Sequence, residues 1–537
     1  MADPAVNARA QLPDAIVSPR TVGVEAMRAL EAAAVAGGIP EAALQANAAR
    51  SLANLVPALE QGPADGSIVV LVGPGNNGRD AMLCGRLLAC RGYRVSMFLG
   101  PRHAVATDEL RQLEADRVPI AHYAENGPDA LVRLDAWLDA ASLAVDGLLG
   151  IGARGAIRSP LDEVAARLNG ARTRADGRLR VLAVDIASGV DADIGTIDGI
   201  AVRADITAAL GAVKAGVLRF PGAAHSGRVV CLSIGLRDDG GGTASPRILQ
   251  SASVLGLLRK RDLAGHKGSF GKLLVIGGSS SYLGAPLLSA LAAARSGCGL
   301  VAMGVPRAVQ QAAASVVPEA TFIGPTDIEE RPDQALEVIV GSLPAFDAVL
   351  IGPGLGRSAG VERWLRALLT TSHDGWPPVV LDADALNALA RWDEWWEAVV
   401  PRLVLTPHHG EMSRLTGESL ERVAAENWDI AIQAAERWGQ TVVLKGPHTT
   451  VTSHGHGTAV HAAANPALAT AGSGDVLAGL IGGLLAQGYG VWDAARLGVV
   501  AHGLAAEQLV RARGWRSLIA SDLPAELPLA LASLSER

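Results

Sequence analysis

The sequence predicts an α/β fold made of two three-layer α/β domains. In both halves of the chain, short apolar segments that mostly end at glycine, aspartate or proline alternate with helical patterns. Strands that alternate with helices usually form a parallel sheet covered by helices on both faces. The length of 537 residues exceeds one ordinary core. A hydrophobic content of 49% with only 4% aromatic residues suits valine- and leucine-rich strands and alanine-rich helices.

Six candidate strands occur in the first half of the chain and six in the second. Each is short and apolar, and a helical pattern separates it from the next. In the first half they span residues 68–72, 95–99, 143–145, 182–184, 206–210 and 229–233. In the second half they span residues 272–276, 300–305, 348–351, 379–381, 403–405 and 441–444. Two series of this kind predict two separate sheets.

A polar, glycine-rich segment, RDDGGGTAS at residues 237–245, separates the two series. Such a composition is typical of a linker. We therefore predict a first domain at residues 1–236, a linker at 237–249 and a second domain at 250–537. The two halves do not share an order of motifs, so we expect two different folds. Ligands of open α/β sheets bind beyond the carboxyl ends of strands, and the unusual residues of this chain collect there.

Charge and composition exclude several classes of protein. Lysine and arginine total 47 against 54 acidic residues, and no basic stripe with interleaved aromatic residues is present, so we expect no nucleic-acid partner. Charges and glycines interrupt the apolar runs, so we expect neither a membrane span nor an export signal. The four cysteines lack metal-ligand spacing and are typical of reduced core thiols in a cytoplasmic protein. Alanine-rich helices are compatible with a homo-oligomer, which we expect.

The most informative motif is AGSGD at residues 471–475, directly before an apolar helical pattern. Its glycines allow the backbone to approach a ligand, and the first turn of a helix offers N–H groups with no intrahelical partner. Such a turn binds phosphate or a developing negative charge. Asp475 in this turn is expected to stay ionised and to accept a proton from a substrate hydroxyl. A simple helix cap is the alternative interpretation.

Four further segments of the second half follow predicted strands. They are GPGLG (352–356), LDADALN (381–387), TPHHGE (406–411) and LKGPHT (444–449). Each alone has an ordinary explanation, because glycines form turns, lysines are solvated, and Asp, Asn and His cap helices. Carboxylates or a histidine at such strand ends can also be catalytic. Together with AGSGD, the segments favour a nucleotide site.

In this order, and with HKGSFGKLLVIGGS from His266 and YLGA from Tyr282, these segments resemble the NAD(P)H-hydrate dehydratases. The resemblance covers residues from about 250 to 525 and implies a ribokinase-like fold. It implies that a nucleoside phosphate, in bacterial members ADP leaving as AMP, drives removal of water from the S hydrate of NADH or NADPH. Transient phosphorylation makes the hydroxyl a good leaving group, and catalysis then needs charge stabilisation and one base.

The same resemblance implies roles for individual residues. Asp475 is expected to act as the base and to contact the hydrate. The other expected hydrate contacts are Ala285, Gly356 and His408. The expected contacts of ADP are Lys445, Gly446, Pro447, His448, Thr449 and Gly474. Mg²⁺ is expected to accompany the phosphates of ADP.

The first half places three polar loops at predicted strand ends. IVVLVGPGNNGRD, from residue 68, has GxGxxG spacing directly after a strand. A dinucleotide-binding fingerprint also needs an acidic residue about 20 positions further on; the next strand ends without one, which disfavours a hydride-transfer enzyme. Asn76 and Asn77, with VDGLLGIGARG (145–155) and VDIASGVDADIG (184–195), supply amide, carboxylate and hydroxyl oxygens. Three such loops favour a cation site, although Asx turns explain any single one.

From about Val22 to Leu236, including KAG at 214–216 and PGAAHSG at 221–227, this half resembles the NAD(P)H-hydrate epimerases. The resemblance implies a Rossmann-like fold, interconversion of R and S hydrates, and Asp185 as the catalytic acid that contacts substrate. Expected K⁺ ligands are Asn77, Asp146 and Ser188. Expected hydrate contacts are Asn76, Asn77, Gly78, Arg79, Asp80, Gly150, Ile151, Gly152, Ala153, Arg154, Gly155, Ala156 and Asp185. The whole chain therefore resembles a bifunctional hydrate repair enzyme.

Several positions depart from the family patterns. Arg79 and Ala81 replace glycines of NNGGDG, Ala187 replaces the proline of DIPSG, and His409 replaces a proline away from the proposed chemistry. If position 79 needs glycine for backbone approach, the first domain is a decayed binding module tethered to a working dehydratase. Alternatively, Arg79 pairs with a substrate phosphate. A small-molecule kinase is the enzymatic alternative for the second domain, because a GxGD turn also serves phosphoryl transfer.

Overall fold

The computed structural model describes residues 20–59, 66–101, 107–236, 245–371 and 375–535. The chain forms two compact units, Met1–Ser245 and Pro246–Arg537. The predicted linker residues 237–244 lie outside the described residues. The α/β class predicted for both halves is confirmed, because each unit has a mainly parallel sheet connected by helices.

The first unit alternates strands and helices along most of its described length. Its strands are β1 (Thr21–Val22), β2 (Ser67–Val72), β3 (Arg94–Leu99), β4 (Ile120–His122), β5 (Ala141–Gly147), β6 (Arg180–Val184), β7 (Ile206–Leu210), β8 (Val213–Lys214) and β9 (Arg228–Leu232). Its helices are α1 (Val24–Ala36), α2 (Glu41–Leu59), α3 (Asn76–Cys90), α4 (Thr107–Ala115), α5 (Tyr123–Asn126), α6 (Pro128–Ala140), α7 (Leu161–Arg174) and α8 (Ala223–Ser226), with a 3₁₀ turn at Ala215–Leu218.

The main sheet of the first unit is parallel, and its described strands have the order β4-β3-β2-β5-β6-β7-β9. A separate two-stranded pairing joins β1 to β8. Apart from that pair, the order is the 3-2-1-4-5-6 order of a Rossmann fold with one further strand. The predicted Rossmann-like fold is confirmed. The strand order reverses at β2, so a crevice opens beyond the carboxyl ends of β2 and β5.

Alternate residues of β2 belong to different cores, which defines the three layers. Ile68 and Val70 pack into one buried apolar cluster with α2 and α3. Val69 and Leu71 pack into another, with α6 and α7. Because successive side chains of a strand point to opposite faces, a sheet buried on both faces needs continuous apolar strands such as SIVVLV.

The second unit has a larger sheet. Its strands are β10 (Arg247–Leu249), β11 (Lys272–Ile276), β12 (Leu300–Val305), β13 (Thr321–Pro325), β14 (Ala348–Ile351), β15 (Val379–Leu381), β16 (Leu403–Leu405), β17 (Thr441–Leu444), β18 (Thr449–Ser453) and β19 (Gly457–His461). Among the described residues they have the order β10-β19-β18-β17-β16-β15-β14-β11-β12-β13. The pairings are parallel except on either side of β18, which is antiparallel to β17 and to β19.

Helices cover both faces of this sheet, and apolar clusters on each face make it a three-layer unit. They are α9 (Ser251–Val254), α10 (Gly284–Arg295), α11 (Arg307–Val316), α12 (Pro332–Ser342), α13 (Ala359–Thr370), α14 (Asp384–Leu389), α15 (His409–Thr416), α16 (Leu420–Ala425), α17 (Asn427–Trp438), α18 (Ser473–Ala486), α19 (Val491–Arg513) and α20 (Leu523–Ser533). Short 3₁₀ helices lie at Lys267–Phe270, Leu343–Ala345, Trp395–Glu397, Pro466–Leu468 and Ala520–Asp522.

The strand predictions succeed for long apolar segments and fail for short or polar ones. The six strands predicted in the second half coincide with β11, β12, β14, β15, β16 and β17, and those of the first half agree to within two residues at either end. The sequence analysis does not predict β1, β4, β8, β10, β13, β18 and β19. Placing Arg247–Leu249 in the linker is wrong: these residues form edge strand β10 beside β19, because Ile248 and Leu249 are buried there.

The predicted core position of the cysteines holds for three of the four. Cys84 and Cys231 are buried and Cys298 is half-buried, but Cys90 is exposed near the end of α3. The prediction is wrong for Cys90 because its position falls on the solvent side of an amphipathic helix. Within the described ranges, no helix combines the length and the apolar character that a bilayer span requires.

Candidate active sites

The three predicted K⁺ ligands lie together at the carboxyl ends of neighbouring strands in the first unit. Ser188 Oγ donates to Asp146 Oδ1 over 2.7 Å, and the Ser188 N–H donates to Asp146 Oδ2 over 2.9 Å. Asn77 Nδ2 donates to the Leu149 carbonyl over 2.8 Å, and the Leu149 N–H donates to Ser188 Oγ over 2.9 Å. Asp146 is fully buried, and burial raises the pKa of its carboxyl. The three polar loops therefore meet at one place.

Asp185 follows β6 with its backbone in the left-handed region, at φ 67°. A non-glycine residue there is uncommon and carries backbone strain. Asp185 Oδ1 accepts hydrogen bonds from Lys214 Nζ over 2.5 Å and from the Leu210 N–H over 2.9 Å. Lys214 also donates to the Leu210 carbonyl over 2.9 Å. In the described part of the chain these bonds engage only Oδ1, which leaves Oδ2 for a substrate.

Lys214 is a functional candidate to which the sequence analysis assigned no role. It is 1% exposed and lies at the end of β8. A signal was present, because Lys214 is the only lysine in residues 1–245 and its neighbours are apolar. A lysine in such surroundings is rarely buried without a partner of opposite charge.

Asp80 and Arg79 lie in the first turns of α3. Arg79 is exposed and helical, so the backbone at this position does not need glycine. The pKa of Asp80 is raised to about 8, chiefly by burial and then by the charges of Asp185 and Glu31, while Arg79 and Lys214 oppose the rise. Asp80 therefore holds its proton at neutral pH. Its Oδ1 is buried and has no hydrogen-bond partner among the described residues.

Some of the predicted hydrate contacts in the loop after β5 and at the start of α3 are packed against the protein, and the others are exposed. Gly150 packs on Asn77, because a Cβ at Gly150 would lie 2.9 Å from Asn77 Cβ. Gly78 is equally confined: a Cβ there would lie 2.1 Å from the Gly73 carbonyl oxygen. Ile151 packs against the core, and Ala153 is half-buried. The exposed predicted contacts are Asn76, Arg79, Gly152, Arg154, Gly155 and Ala156. A cleft beside this loop is lined in part by Gly150, Ala153, Gly155, Ile186 and Val190.

Asp475 is the third residue of α18, after Gly474. The residue before the helix, Gly472, has φ 92°, which favours glycine. The pKa of Asp475 is raised to about 7, chiefly by burial and then by the charge of Asp382, against the opposing charge of Lys445. At this pKa Asp475 is only partly ionised at neutral pH, whereas the sequence predicts a fully ionised carboxylate at the helix start.

Half-buried Lys445 and buried Asp382 form an ion pair beside Asp475. Lys445 Nζ donates to Asp382 Oδ1 over 2.7 Å, and Thr406 Oγ1 donates to the same oxygen over 2.8 Å. Burial alone would lower the pKa of Lys445, but Asp382, Glu411 and Asp475 raise it overall. The ammonium group therefore stays charged.

His408 caps the start of α15. Its Nδ1 accepts hydrogen bonds from the N–H groups of Gly410 and Glu411, over 3.0 and 3.3 Å, and Glu411 Oε2 accepts one from the His408 N–H over 2.9 Å. This reciprocal arrangement is a capping box. The pKa of His408 is lowered to about 4, chiefly by burial and then by the charges of Lys445 and Arg414. Burial raises the pKa of Glu411 to about 7.

Gly356 and Ala285, two predicted hydrate contacts, lie near the carboxyl ends of β14 and β11. The Gly356 N–H donates to Asp384 Oδ2 over 3.1 Å, so Asp384 orients the GPGLG turn. A Cβ at Gly356 would lie 2.3 Å from Glu329 Oε1. A Cβ at Gly354 would lie 3.4 Å from that of Ala285. The GPGLG turn therefore packs directly on the start of α10.

The predicted ADP segment, residues 445–449, connects β17 to β18. His448 is buried, Pro447 is exposed, and Thr449 Oγ1 donates to the Gly446 carbonyl over 3.4 Å. His409 lies against this segment: its Nε2 would be 2.8 Å from a Cβ at Gly446. The sequence places His409 away from the proposed chemistry; the helix start at His408 nevertheless brings it into contact with the segment predicted to bind ADP.

The fold and the two sites define a two-domain α/β enzyme in which each domain has a lysine–carboxylate ion pair at the carboxyl ends of its strands. Residues 41–216 match a family model described as the YjeF-related protein N-terminus. Residues 273–529 match a family model described as NAD(P)H-hydrate dehydratase.

Curated relatives match almost the whole chain. The bifunctional NAD(P)H-hydrate repair enzyme of Moorella thermoacetica is 35% identical over 508 residues, covering 93% of this chain and 94% of that protein. The corresponding protein of Coxiella burnetii is 34% identical over 515 residues, covering 93% and 96%. The chain belongs to the family of bifunctional NAD(P)H-hydrate repair enzymes, and the resemblance seen in the sequence is confirmed.

A solved structure matches the second unit. The ADP/ATP-dependent NAD(P)H-hydrate dehydratase of Bacillus subtilis, co-crystallised with ATP and Mg²⁺, is 29% identical. The match covers 54% of this chain and 98% of that chain, with a TM-score of 0.47.

Proposed function

We propose that the second unit removes water from the S hydrate of NADH or NADPH, with ADP as the phosphate donor and AMP and phosphate as products. One observation carries the proposal: Asp475 is a half-buried carboxyl with a pKa of about 7 at the start of α18, beside the Lys445–Asp382 pair. A carboxylate of this pKa can take a proton from a hydroxyl group, and the helix start can stabilise a phosphate. Membership of the repair-enzyme family supports the choice of substrate.

The proposed reaction has two stages. Asp475 takes the proton of the substrate hydroxyl while the oxygen of that hydroxyl attacks the terminal phosphorus of ADP. The bond from this phosphorus to the oxygen of AMP breaks. The carbon–oxygen bond of the substrate then breaks, phosphate leaves with the electron pair, and the adjacent carbon releases a proton to form the double bond of the dihydropyridine. Lys445 and the first N–H groups of α18 stabilise the phosphate charge.

The remaining predicted residues surround this chemistry. Ala285, Gly356 and His408 would line the hydrate, and residues 446–449 would line the AMP portion of ADP. Mg²⁺ would neutralise part of the phosphate charge. Within the described ranges no three His, Cys, Asp or Glu side chains converge as a metal-binding group, which suits an ion held mainly by the nucleotide and water.

Recovery of the reduced cofactor tests this proposal. The full chain is incubated with S hydrate, ADP and Mg²⁺, and the absorbance of the dihydronicotinamide ring is followed with AMP and phosphate release. We expect Asp475→Asn to lower the rate about 1,000-fold. A net phosphorylated small-molecule product instead of AMP and recovered cofactor would identify a kinase and overturn the proposal.

For the first unit we propose epimerisation of the R and S hydrates. Asp185 Oδ2 would accept a proton from the substrate, while Lys214 and the Leu210 N–H hold Oδ1. Asn77, Asp146 and Ser188 supply amide, carboxylate and hydroxyl oxygens close together, and such hard donors suit K⁺. Bound K⁺ would supply positive charge beside a substrate oxygen.

Pure R hydrate tests the first unit. In the presence of ADP and Mg²⁺, the full chain should restore the cofactor completely and faster than spontaneous epimerisation. The rate should fall when K⁺ is replaced by a bulky organic cation, while turnover of S hydrate stays constant. Recovery that waits for spontaneous epimerisation would identify the first unit as a binding module.

We also propose a cytoplasmic homo-oligomer. The four cysteines are free, as expected in a reducing compartment. Trp515, Ile519 and Leu529 are large, apolar and at least half exposed within a short stretch of the second unit, and such residues suit a self-association surface. Light scattering of the wild type and of Leu529→Asp tests this. A wild type that is monomeric at all concentrations would contradict it.

A further inference from the structure

The phosphate-binding turn at the start of α18 is held by neighbouring elements. Ser473 Oγ donates to the carbonyl oxygens of Leu468 and Thr470 over 2.8 and 3.0 Å, which ties the turn to the preceding loop. Ser289 Oγ, on α10, donates to the Asp475 carbonyl over 2.9 Å. All of these contacts are hydrogen bonds from serine hydroxyl groups. A third contact comes from α19.

His502 makes this third contact. It lies in the interior of α19, is 7% exposed, and its ring faces the backbone of Ser473, the first residue of α18. Its Nε2 is buried and has no hydrogen-bond partner among the described residues. Burying an unpaired polar atom costs free energy, so an apolar residue would fill this space at lower cost. A histidine is nevertheless present at this position, against the backbone of the phosphate-binding turn, and we therefore consider a function for it.

His461 connects α19, the helix that carries His502, to the proposed ADP segment. A Cβ at Gly503 would lie 2.6 Å from His461 Cε1, so the His461 ring lies directly against α19 beside His502. His461 is also the register partner of Thr449 in the antiparallel pair of β18 and β19. A continuous path of contacts therefore leads from Thr449, the last residue of the proposed ADP segment, to Ser473 in the phosphate-binding turn.

We propose that His502 is a positioning residue for phosphoryl transfer. Together with His461, it fixes the turn at the start of α18 relative to the ADP segment that ends at Thr449. The inference rests on the proposed ADP-dependent dehydration. The turn needs such support because glycines flank Ser473 on both sides and allow it many backbone conformations. A displacement of about 1 Å between a bound phosphate and its attacking oxygen can cost about 100-fold in rate.

The two histidines act without charge. Burial lowers the pKa of His461 and of His502 to about 4. Both rings are therefore neutral at the pH of the proposed reaction. They support the turn by shape and polar contact and leave the phosphate charge to Lys445 and the helix start.

His502→Phe tests the inference, because it keeps a planar ring of similar size and removes both nitrogens. In the full chain we expect the kcat of dehydration to fall and the KM for ADP to rise, each about tenfold, while the KM for S hydrate changes less than about twofold. His502→Gln, which restores an N–H group, should recover part of the loss. His456→Phe is the matched control, because it makes the same change at an exposed position of the β18–β19 turn.

A folded His502→Phe variant with the kcat and the KM for ADP of the wild type would overturn the inference. If this variant does not fold, Gly503→Ala displaces His461 and leaves His502 in place, and alanine favours the helix. The rise in melting temperature that ADP causes should then be smaller than in the wild type, and an unchanged rise would overturn the inference. A wild type that cannot dehydrate S hydrate would contradict the proposed function itself.

Discussion

Lys445 Nζ occupies the space next to Gly474: a Cβ built on Gly474 would lie only 3.1 Å from it. The contact places the ammonium group at the second residue of α18, while Asp382 holds it from the other side over 2.7 Å. The charge of Lys445 and the positive end of the helix therefore act at one point. A phosphate placed there would be stabilised by both.

The crowding at Gly474 predicts an effect on nucleotide binding. Gly474→Ala should push Lys445 aside and raise the Kd for ADP about tenfold, which corresponds to about 1.4 kcal/mol. Calorimetric titration of the full chain measures it. Gly490→Ala is the matched control, because no atom lies within 4 Å of the added Cβ. An unchanged Kd in Gly474→Ala would show that the phosphate does not bind beside Lys445.

The ion pair of Lys445 and Asp382 predicts a loss of stability. Lys445→Met leaves the buried Asp382 carboxylate without its counter-charge, and we expect the free energy of unfolding to fall by about 3–5 kcal/mol. The double variant Lys445→Met/Asp382→Asn should recover most of this loss but none of the dehydratase activity. Chemical denaturation measures both variants. Equal stabilities of the single and double variants would contradict the expected coupling.

The raised pKa of Asp475 predicts an acid limb in the pH profile of dehydration. A general base acts as the carboxylate, and its protonated fraction grows as the pH falls through about 7. We therefore expect kcat/KM to fall about tenfold for each pH unit below the pKa. Burial also raises the pKa of Glu411 to about 7, so the profile is repeated in Glu411→Gln. A limb that disappears in that variant would assign the titration to Glu411.

The pairing of Lys214 with Asp185 predicts a selective loss of epimerisation. Lys214→Met removes the group that holds Asp185 Oδ1, so turnover of R hydrate should fall at least about 100-fold. Turnover of S hydrate by the same protein should stay within about twofold and serves as the internal reference. Arg203→Met, at an exposed position of the first unit, is the control for loss of a surface cation. If Lys214→Met epimerises R hydrate at the rate of the wild type, the pair of Lys214 and Asp185 has no part in the mechanism.

The helical backbone at Arg79 predicts that the departure from the family pattern is tolerated. Glycine is not required at this position, so the wild type should epimerise R hydrate, and Arg79→Gly should change the rate less than about threefold while costing about 1 kcal/mol in helix stability. Assays that are quenched at fixed times, with pure R hydrate as substrate, measure the two rates. A gain of several orders of magnitude in Arg79→Gly would mean that the arginine blocks the site.

Most of the fold could be predicted because the central strands are buried on both faces and are therefore continuously apolar. KLLVI and LVAMGV are examples that match β11 and β12. β18, with the sequence TTVTS, has a single apolar residue and carries no such run. β10 has only two apolar residues, and it becomes a strand because β19 lies beside it. That pairing joins segments more than 200 residues apart, which a local pattern does not show.

The sequence could predict those site residues that a parallel sheet brings together at its strand ends. Asn77, Asp146 and Ser188 meet because the carboxyl ends of neighbouring strands lie at one edge of a sheet. The raised pKa of Asp475 could not be predicted, because it depends on burial in the folded unit and on Asp382, which follows a different strand. The role inferred for His502 likewise depends on which turn α19 packs against.

The capping box of α15 sets the hydrogen-bonding direction of His408 as well as the start of a helix. Two backbone N–H groups occupy the lone pair of Nδ1, and the ring is neutral, so the single ring proton must lie on Nε2. The remaining ring donor, Nε2, lies 3.4 Å from Glu411 Oε1, a carboxylate oxygen of the same helix turn. A hydrate in the predicted contact with Nε2 would have to present an oxygen lone pair to it. The bonds that begin α15 therefore also set which hydrogen-bonding group His408 offers to a ligand.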